Sequence, residues 1–210
     1  MHDELTIEAP VKDRGVLENL RAGDVIYLSG LVATARDEAY RRIALMNEKP
    51  PLSLEGWAIF HAGPIMKRVN NEWLCLSIGP TTSIRLESYS PSFIERTGVS
   101  IIIGKGGMGG RTAEACRKHR AIYTVFPGGC GVLGASFVKE VIDVKWLELG
   151  IPEAMWILRV ERLGPLIVTI DATGRNLAEE VKSEAKIRMN EALSTIREGL
   201  TKKRMHEEKH

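Results

Sequence analysis

Residues 99–126 constrain the fold more than any other stretch of the chain. VSIIIG, from Val99 to Gly104, is an unbroken apolar run, the mark of a strand covered on both faces. A glycine-rich turn follows, GKGGMGGR, and then TAEACRKHR, which reads as a helix. AIYTVF closes the unit as a second strand of the buried type. Two covered strands joined through a helix predict parallel pairing with a right-handed crossover. The next segment, PGGCGVLGA, is a second glycine-rich loop.

The flanking segments read more plainly. Residues 11–22 predict a surface helix or turn. DVIYLSGLVAT, residues 24–34, is a strand interrupted at Gly30. ARDEAYRRIALMNE predicts a helix with Ala39, Ile43 and Met46 on one side. LEGWAIFHAGPI and EWLCLSIGP predict two strands, each ending in Gly-Pro, with MKRVNNE as the turn between them. SPSFIERTG starts a short helix capped by Ser90 or Ser92. AMWILRVERLGPLIVTID predicts strand, Gly-Pro turn, strand. From Asn176 to about Arg204 the pattern is one long helix, with Leu177, Val181, Ala185, Met189, Leu193, Ile196 and Leu200 forming an apolar stripe. The expected architecture is α/β: a mixed sheet with a largely antiparallel β part joined to a β-α-β layer, and a long C-terminal helix. The expected division is a domain over residues 1–175 and a helical extension over 176–210.

Composition removes several classes. The 210 residues carry 29 basic and 27 acidic side chains, a net charge of +2, too little to argue for nucleic acid. At 44 % apolar and 27 % charged, the chain has material for a core and no signature of bulk disorder. No stretch reaches the roughly 18 apolar residues of a membrane span. The start, MHDELTIEAP, has acids where a signal peptide is basic and then apolar, so a cytoplasmic location is expected. Cys75, Cys116 and Cys130 show no CxxC spacing. Three thiolates match the count for a cluster with one open iron, yet nothing in their spacing resembles a cluster site, and buried free thiols are the commoner use. No metal site is expected in this chain.

Four short motifs carry candidate chemistry. Gly104–Gly109 satisfies GxGxxG between a strand and a helix, but the acid that a dinucleotide site needs about 20 residues further on is missing. No Gly-Lys-Ser/Thr closes the run as a P-loop requires. What remains is a set of backbone N–H groups near a helix N-terminus, a setting for an anion, with Lys105 adding a full charge; the plain alternative is a tight turn with a solvated lysine. In GPTTSIR, Thr81 and Arg85 share a face if a helical turn starts there, and a hydroxyl beside a guanidinium suits a carboxylate. The alternative is a Thr/Ser helix cap with a solvent-facing arginine. Arg36 with Asp37 is an anion-binding pair or an N-cap with an exposed arginine. His61, in HAGP, is an acid/base or ligand group or a satisfied turn histidine. Two or three cations without a metal cluster suit a small dicarboxylate better than a long polyanion.

Taken together, LSGLVATARDEAYRR, HAGP, GPTTSIR, IIIGKGGMG, FPGGCG and WLELGIPEAMWILRVERLGPLIVTIDATGRNL resemble the β subunit of class I, iron–sulfur fumarate hydratases and its sister, the β subunit of L-tartrate dehydratases. Several long motifs in one order, from about Ile26 to Leu177, are far more specific than any one of them. The resemblance implies a swivelling β/β/α domain that corresponds to the C-terminal domain of single-chain members. It implies a hydro-lyase that reversibly hydrates a C4 dicarboxylate, with fumarate to malate, a tricarboxylic acid cycle step, as the first expectation and tartrate dehydration as the second. It implies a [4Fe–4S] cluster on a partner α subunit, none on this chain, and a homo- or hetero-oligomer without nucleic acid or membrane.

By matching motifs, Arg36, Arg85, Lys105 and Gly106 are the substrate-binding residues the resemblance implies. Thr81 resembles the base, with Thr82 as the alternative, and Lys105 is the second catalytic residue; Asp37, His61 and Thr82 form a second tier. A hydroxyl is a poor base alone, so Arg85 and Lys105 would stabilise its alkoxide. Two departures stand out: Tyr40 where the family pattern has His, and Leu86-Glu87-Ser88 where it has Met-Asp-Pro.

Overall fold

The computed structural model describes residues 5–207, with side chains described through Arg197. The chain divides into two units, Met1–Asn176 and Leu177–His210. In order, the first unit contains β1 (Leu5–Ala9), α1 (Gly15–Glu18), β2 (Val25–Thr34), α2 (Asp37–Tyr40), a π-helical turn (Arg41–Leu45), β3 (Ala58–Phe60), β4 (Ile65–Val69) and β5 (Glu72–Ser77). A 3-10 turn (Ser83–Leu86), α3 (Ser90–Thr97), β6 (Ile101–Gly104), α4 (Gly110–His119), β7 (Ile122–Val125), α5 (Gly131–Ser136), β8 (Val138–Lys145) and β9 (Met155–Ile170) complete it.

The β6-α4-β7 unit pairs in parallel, Ile101 opposite Ile122 through Gly104 opposite Val125. The parallel set is larger than the sequence pattern indicated, because β1, β2, β3, β6 and β7 all run the same way. The antiparallel members are β9, beside β7, β2 and β8, and the separate β4–β5 ribbon. The β2–β9 pairing returns the sheet on itself, so β2, β3, β6, β7 and β9 form a closed circuit of hydrogen-bonded strands.

Alternation along these strands sorts side chains into two cores. Phe60, Ile101, Ile103, Ile122, Trp156 and Leu158 face one; Ile59, Ile102, Tyr123, Met155 and Ile157 face the other, with Phe93, Ile94 and Cys116 of α3 and α4. This two-sided burial is why VSIIIG and AIYTVF carry no polar alternation.

Several local expectations change. β9 is one 16-residue strand; Gly164-Pro165 does not turn the chain but sits where the β2–β9 register shifts between Leu163 and Leu166, since proline has no N–H for a regular ladder. MKRV is strand rather than turn, because Asn70 and Asn71, both at positive φ, make a two-residue hairpin loop. Met46 is exposed while Ala39 and Ile43 are buried: the helix widens into a π turn and ends there. Neither serine caps α3; Ser90 Oγ donates to the Leu86 carbonyl and Ser92 Oγ to that of Ala44.

The second unit is one helix, α6 (Leu177–Glu207). Steps of four advance about 40° around a helix of 3.6 residues per turn, so its apolar stripe winds rather than holding one narrow face. The Leu200 side chain lies outside the described residues. No helix among the described residues is long and apolar enough to cross a membrane.

Trp156 is fully buried, its indole N–H donates to the Ile151 carbonyl at 2.8 Å, and its ring meets that of Trp73 edge-on at 5.0 Å. Trp156→Ala therefore lowers unfolding stability by about 3–5 kcal/mol, read as a shift of the urea midpoint; an unchanged midpoint would contradict this packing.

Candidate active site

Parallel strands deliver their C-terminal ends to one edge of a sheet, where α/β proteins build their sites. Here β2 ends at Thr34, two residues before Arg36; β3 ends at Phe60, directly before His61; β6 ends at Gly104, directly before Lys105. The loop after β5 completes the set with Thr81, Thr82 and Arg85.

Specific contacts join these segments. The carboxylate of Asp37 accepts a two-pronged hydrogen bond from Arg85, Nη2 to Oδ2 at 2.9 Å and Nε to Oδ1 at 3.3 Å. It also lies 4.0 Å from Arg36 Nη2. Partial burial pushes the Asp37 carboxyl up, but the Arg85 hydrogen bond and charge, with Arg36 behind them, outweigh it and leave the group lowered. Arg36 is held from its other side by Glu153, Nη2 to Oε1 at 3.2 Å, and its buried Nε has no hydrogen-bond partner. Thr82 forms a parallel bridge with Lys105. The Ser83 N–H donates to the Lys105 carbonyl and the Lys105 N–H to Ser83 Oγ, each at 3.1 Å. The aliphatic stem of Lys105 lies along Gly128, where a Cβ would strike its Cδ at 2.8 Å.

Thr81 is anchored by its backbone N–H, which donates to the His61 carbonyl at 2.7 Å, and its hydroxyl donates to the same oxygen at 3.2 Å. It is not on a helical turn with Arg85; the 3-10 turn begins at Ser83 and no side chain caps it. Gly106 is exposed with φ at 75°, a left-handed conformation that glycine adopts without strain, and its carbonyl accepts the Tyr123 hydroxyl at 2.8 Å. The sequence candidates thus converge on one edge: Arg36, Asp37 and Arg85 through ion pairs, His61 and Thr81 through a backbone carbonyl, Thr82 and Lys105 through a bridge.

The anion seat suggested at the glycine turn is filled by the chain itself. Glu87 accepts the N–H of Gly109 at 2.8 Å, the N–H of Thr112 at 3.1 Å and the Thr112 hydroxyl at 2.5 Å. A carboxylate at the α4 N-terminus satisfies the donors and the helix dipole that a pyrophosphate would use. The departure at Glu87 is therefore structural, and it argues against a dinucleotide there. Glu153 and Ser83 were not anticipated; the lone acid in GIPEAMW, between apolar neighbours, was the available signal for the first.

The cysteines do not fit a cluster. Cys75 and Cys130 pack against one core and Cys116 sits in the other. Burial pushes the Cys75 thiol up to about 11 and the Cys116 thiol up to about 12, away from the thiolate a metal requires. No group of three His, Cys, Asp or Glu among the described residues is arranged to hold a metal. A separate cavity of about 590 Å³, lined by residues 49–55 and 95–98, lies toward the N-terminal end of β6 and contains none of the candidates.

Comparison with known proteins identifies the family of the chain. The family model described as "Fumarase C-terminus" matches residues 2–181. The chain is 48 % identical over 176 residues to "L(+)-tartrate dehydratase subunit beta" of Escherichia coli, spanning 84 % of this chain and 87 % of that protein. It is 45 % identical over 181 residues to "Putative L(+)-tartrate dehydratase subunit beta" of Methanocaldococcus jannaschii, with 84 % and 93 % covered. It is 37 % identical over 182 residues to "Putative fumarate hydratase class I" of Geobacillus stearothermophilus, spanning 86 % of this chain but 35 % of that longer one. The chain belongs to the fumarase C-terminal family, in the branch formed by the β subunits of class I fumarate hydratases and L-tartrate dehydratases.

His61 is fully buried, and burial pulls its imidazole from 6.5 down to about 3, with Asp37 raising and Arg85 lowering it by smaller amounts. The unfolded chain takes up this proton as pH falls through 6.5, and the folded chain does not until about 3. Stability is therefore complete above 6.5 and declines with falling pH, by about 1.4 kcal/mol per pH unit for this group. Asp37 and Asp171, both lowered from 3.8, titrate below this range. Urea unfolding between about pH 6 and pH 4.5 reads the slope, and His61→Gln reduces it to what remains from groups such as His119, which is also lowered from 6.5 by burial; an unaltered slope in the variant would contradict the buried neutral ring.

Proposed function

We propose that this chain is the substrate-clamping β subunit of a two-subunit iron–sulfur hydro-lyase acting on a C4 dicarboxylate. The observation that carries the reading is the single edge where Arg36, Arg85 and Lys105 meet the Thr81 loop. Asp37 takes two donors of the Arg85 fork, and the guanidinium has five, so donors remain for a substrate carboxylate. Arg36 serves the second carboxylate, with Gly106 presenting the turn beside it. When a C–H proton leaves the carbon next to a carboxylate, negative charge builds on that carboxylate, and preorganised cations stabilise it. In its alkoxide form, favoured by Arg85 and Lys105, Thr81 Oγ1 receives the proton and becomes the hydroxyl that donates to the His61 carbonyl. Asp37, His61 and Thr82 orient these groups.

The first substrate pair is fumarate and malate. L-tartrate is a second reading, favoured by the 48 % and 45 % identities to tartrate dehydratase β subunits against 37 % to a fumarate hydratase. The cluster is assigned to the α subunit, because the three cysteines of this chain are divided between two cores, Cys75 and Cys130 on one and Cys116 in the other. A cytoplasmic location follows from the same reading.

The β4–β5 ribbon supports a partner that completes the site. It leaves the domain from HAGP and returns into IGPTT, so both of its roots are site loops. Its inward face packs Met66, Trp73 and Cys75 on the core, yet Ile65, Leu74 and Leu76 on its outward face are exposed. A ribbon apolar on both faces is suited to burial by a second chain, and the α subunit is assigned there. α6 is proposed as an extension beyond the catalytic domain, since the family match ends at residue 181.

The test is turnover of the reconstituted pair against a panel of C4 dicarboxylates. Lys105→Ala removes a charged partner of a bound carboxylate, a loss of about 2–5 kcal/mol, or roughly 30- to several-thousand-fold in kcat/KM, while the fold survives. Near-wild-type turnover would make Lys105 a solvated turn residue.

A further inference from the structure

His61 differs from a histidine that merely fills space, because the groups it bonds come from three other segments of the site. Its backbone N–H donates to the Ile103 carbonyl at 2.8 Å, tying β3 to β6 just ahead of Lys105. Its carbonyl receives both donors of Thr81. Its Nδ1 lies 2.9 Å from Ser83 Oγ, the atom that also accepts the Lys105 N–H. Its Nε2 lies 2.7 Å from the Tyr40 hydroxyl, and Tyr40 sits one helical turn beyond Arg36, to whose carbonyl its own N–H donates at 3.0 Å. Phe93 fixes the Tyr40 ring by stacking at 3.9 Å, 10° from parallel.

The surroundings are built to this arrangement. Tyr40, His61 and Ser83 are all fully buried. Burying polar groups costs free energy that an apolar cluster of similar volume does not, and a network with one member missing leaves the others unsatisfied. Gly104 is the neighbour that permits the approach: a Cβ there would fall on Ser83 Oγ and reach the Tyr123 hydroxyl. A neutral imidazole offers one donor and one acceptor. Tyr40 and Ser83 are hydroxyls that donate or accept, so either tautomer satisfies both ends.

We propose that His61 is the positioning residue of this site: its buried ring and its carbonyl lock the Arg36–Tyr40 segment, the Thr81–Ser83 loop and the Lys105 turn into one register. The role rests on the hydro-lyase reading, deepens it and involves no contact with substrate. Thr82 and Ser83 bond Lys105 directly, and the His61 ring ties that pair of loops to the Arg36–Tyr40 segment. A misplacement of about 1 Å between reacting groups costs on the order of a hundredfold in rate, so a rigid connector between the loops affects kcat more than binding.

The experiment uses the assembled pair, with rates expressed per folded active site. His61→Phe, which removes both ring hydrogen bonds, lowers kcat about ten- to a hundredfold and changes KM less than about threefold. His61→Gln, which keeps a donor and an acceptor, recovers most of that loss. Tyr40→Phe keeps the stack on Phe93 and removes one hydroxyl; it guards against failure of the first variant to fold, and lowers kcat about three- to tenfold while the variant stays folded at the assay temperature. A kcat within twofold of wild type in Tyr40→Phe and in a folded His61 variant, or a loss that follows only the folded fraction, overturns the proposal. A wild-type pair inactive toward every dicarboxylate is a different failure, and overturns the hydro-lyase reading on which it rests.

Discussion

Because β2, β3, β6 and β7 run in one direction, the chain leaves all four at the same edge of the sheet. Parallel pairing requires each strand to be followed by a crossover, and each crossover here begins with a polar or glycine-rich segment. Arg36, His61, Lys105 and Gly128 all lie within three residues of a strand end. The grouping of the candidate residues is thus a consequence of strand direction: reversing β2, β3 or β6 would carry Arg36, His61 or Lys105 to the far edge. The closing pair β2–β9 then removes two free edges and stiffens the frame from which those loops project.

Electrostatics at that edge follows from the crowding of cations. Arg36 and Arg85 are brought close enough to share Asp37, and Glu153 balances Arg36 from behind. These carboxylates hold the guanidinium groups in place and keep the like charges from repelling the loops apart. Arg85 is half exposed and Arg36 much less so, at 48 % and 23 % of the side chain. Arg85 is therefore the more accessible guanidinium, and Arg36 the more fixed one.

The β6-α4-β7 unit was legible because burial on both sheet faces leaves an apolar run that no other element produces at that length. The site residues were legible as types: arginine after a strand, hydroxyls after Gly-Pro, lysine in a glycine turn. Their partners were not. Asp37 and Arg85 are 48 residues apart, and no local pattern encodes that pairing. Glu87, marked in the sequence only as a departure from the family pattern, caps α4. The two strands around Gly164-Pro165 read as a hairpin because Gly-Pro ends strands elsewhere in this chain, at HAGP and IGP. In β9 the flanking pairings with β2 on one side and β7 and β8 on the other carry the strand through. Asn70-Asn71, rather than the longer polar stretch, set the β4–β5 turn.

The central claim is that two cationic ends clamp two carboxylates. Calorimetry on the assembled pair measures it most directly, with a non-reactive C4 dicarboxylate compared against the monocarboxylate of the same length. The account predicts that the dicarboxylate binds at least about tenfold more tightly, a difference of about 1.4 kcal/mol, and that Arg85→Gln abolishes the preference. Equal affinity for the two ligands, or a preference that survives Arg85→Gln, would contradict it.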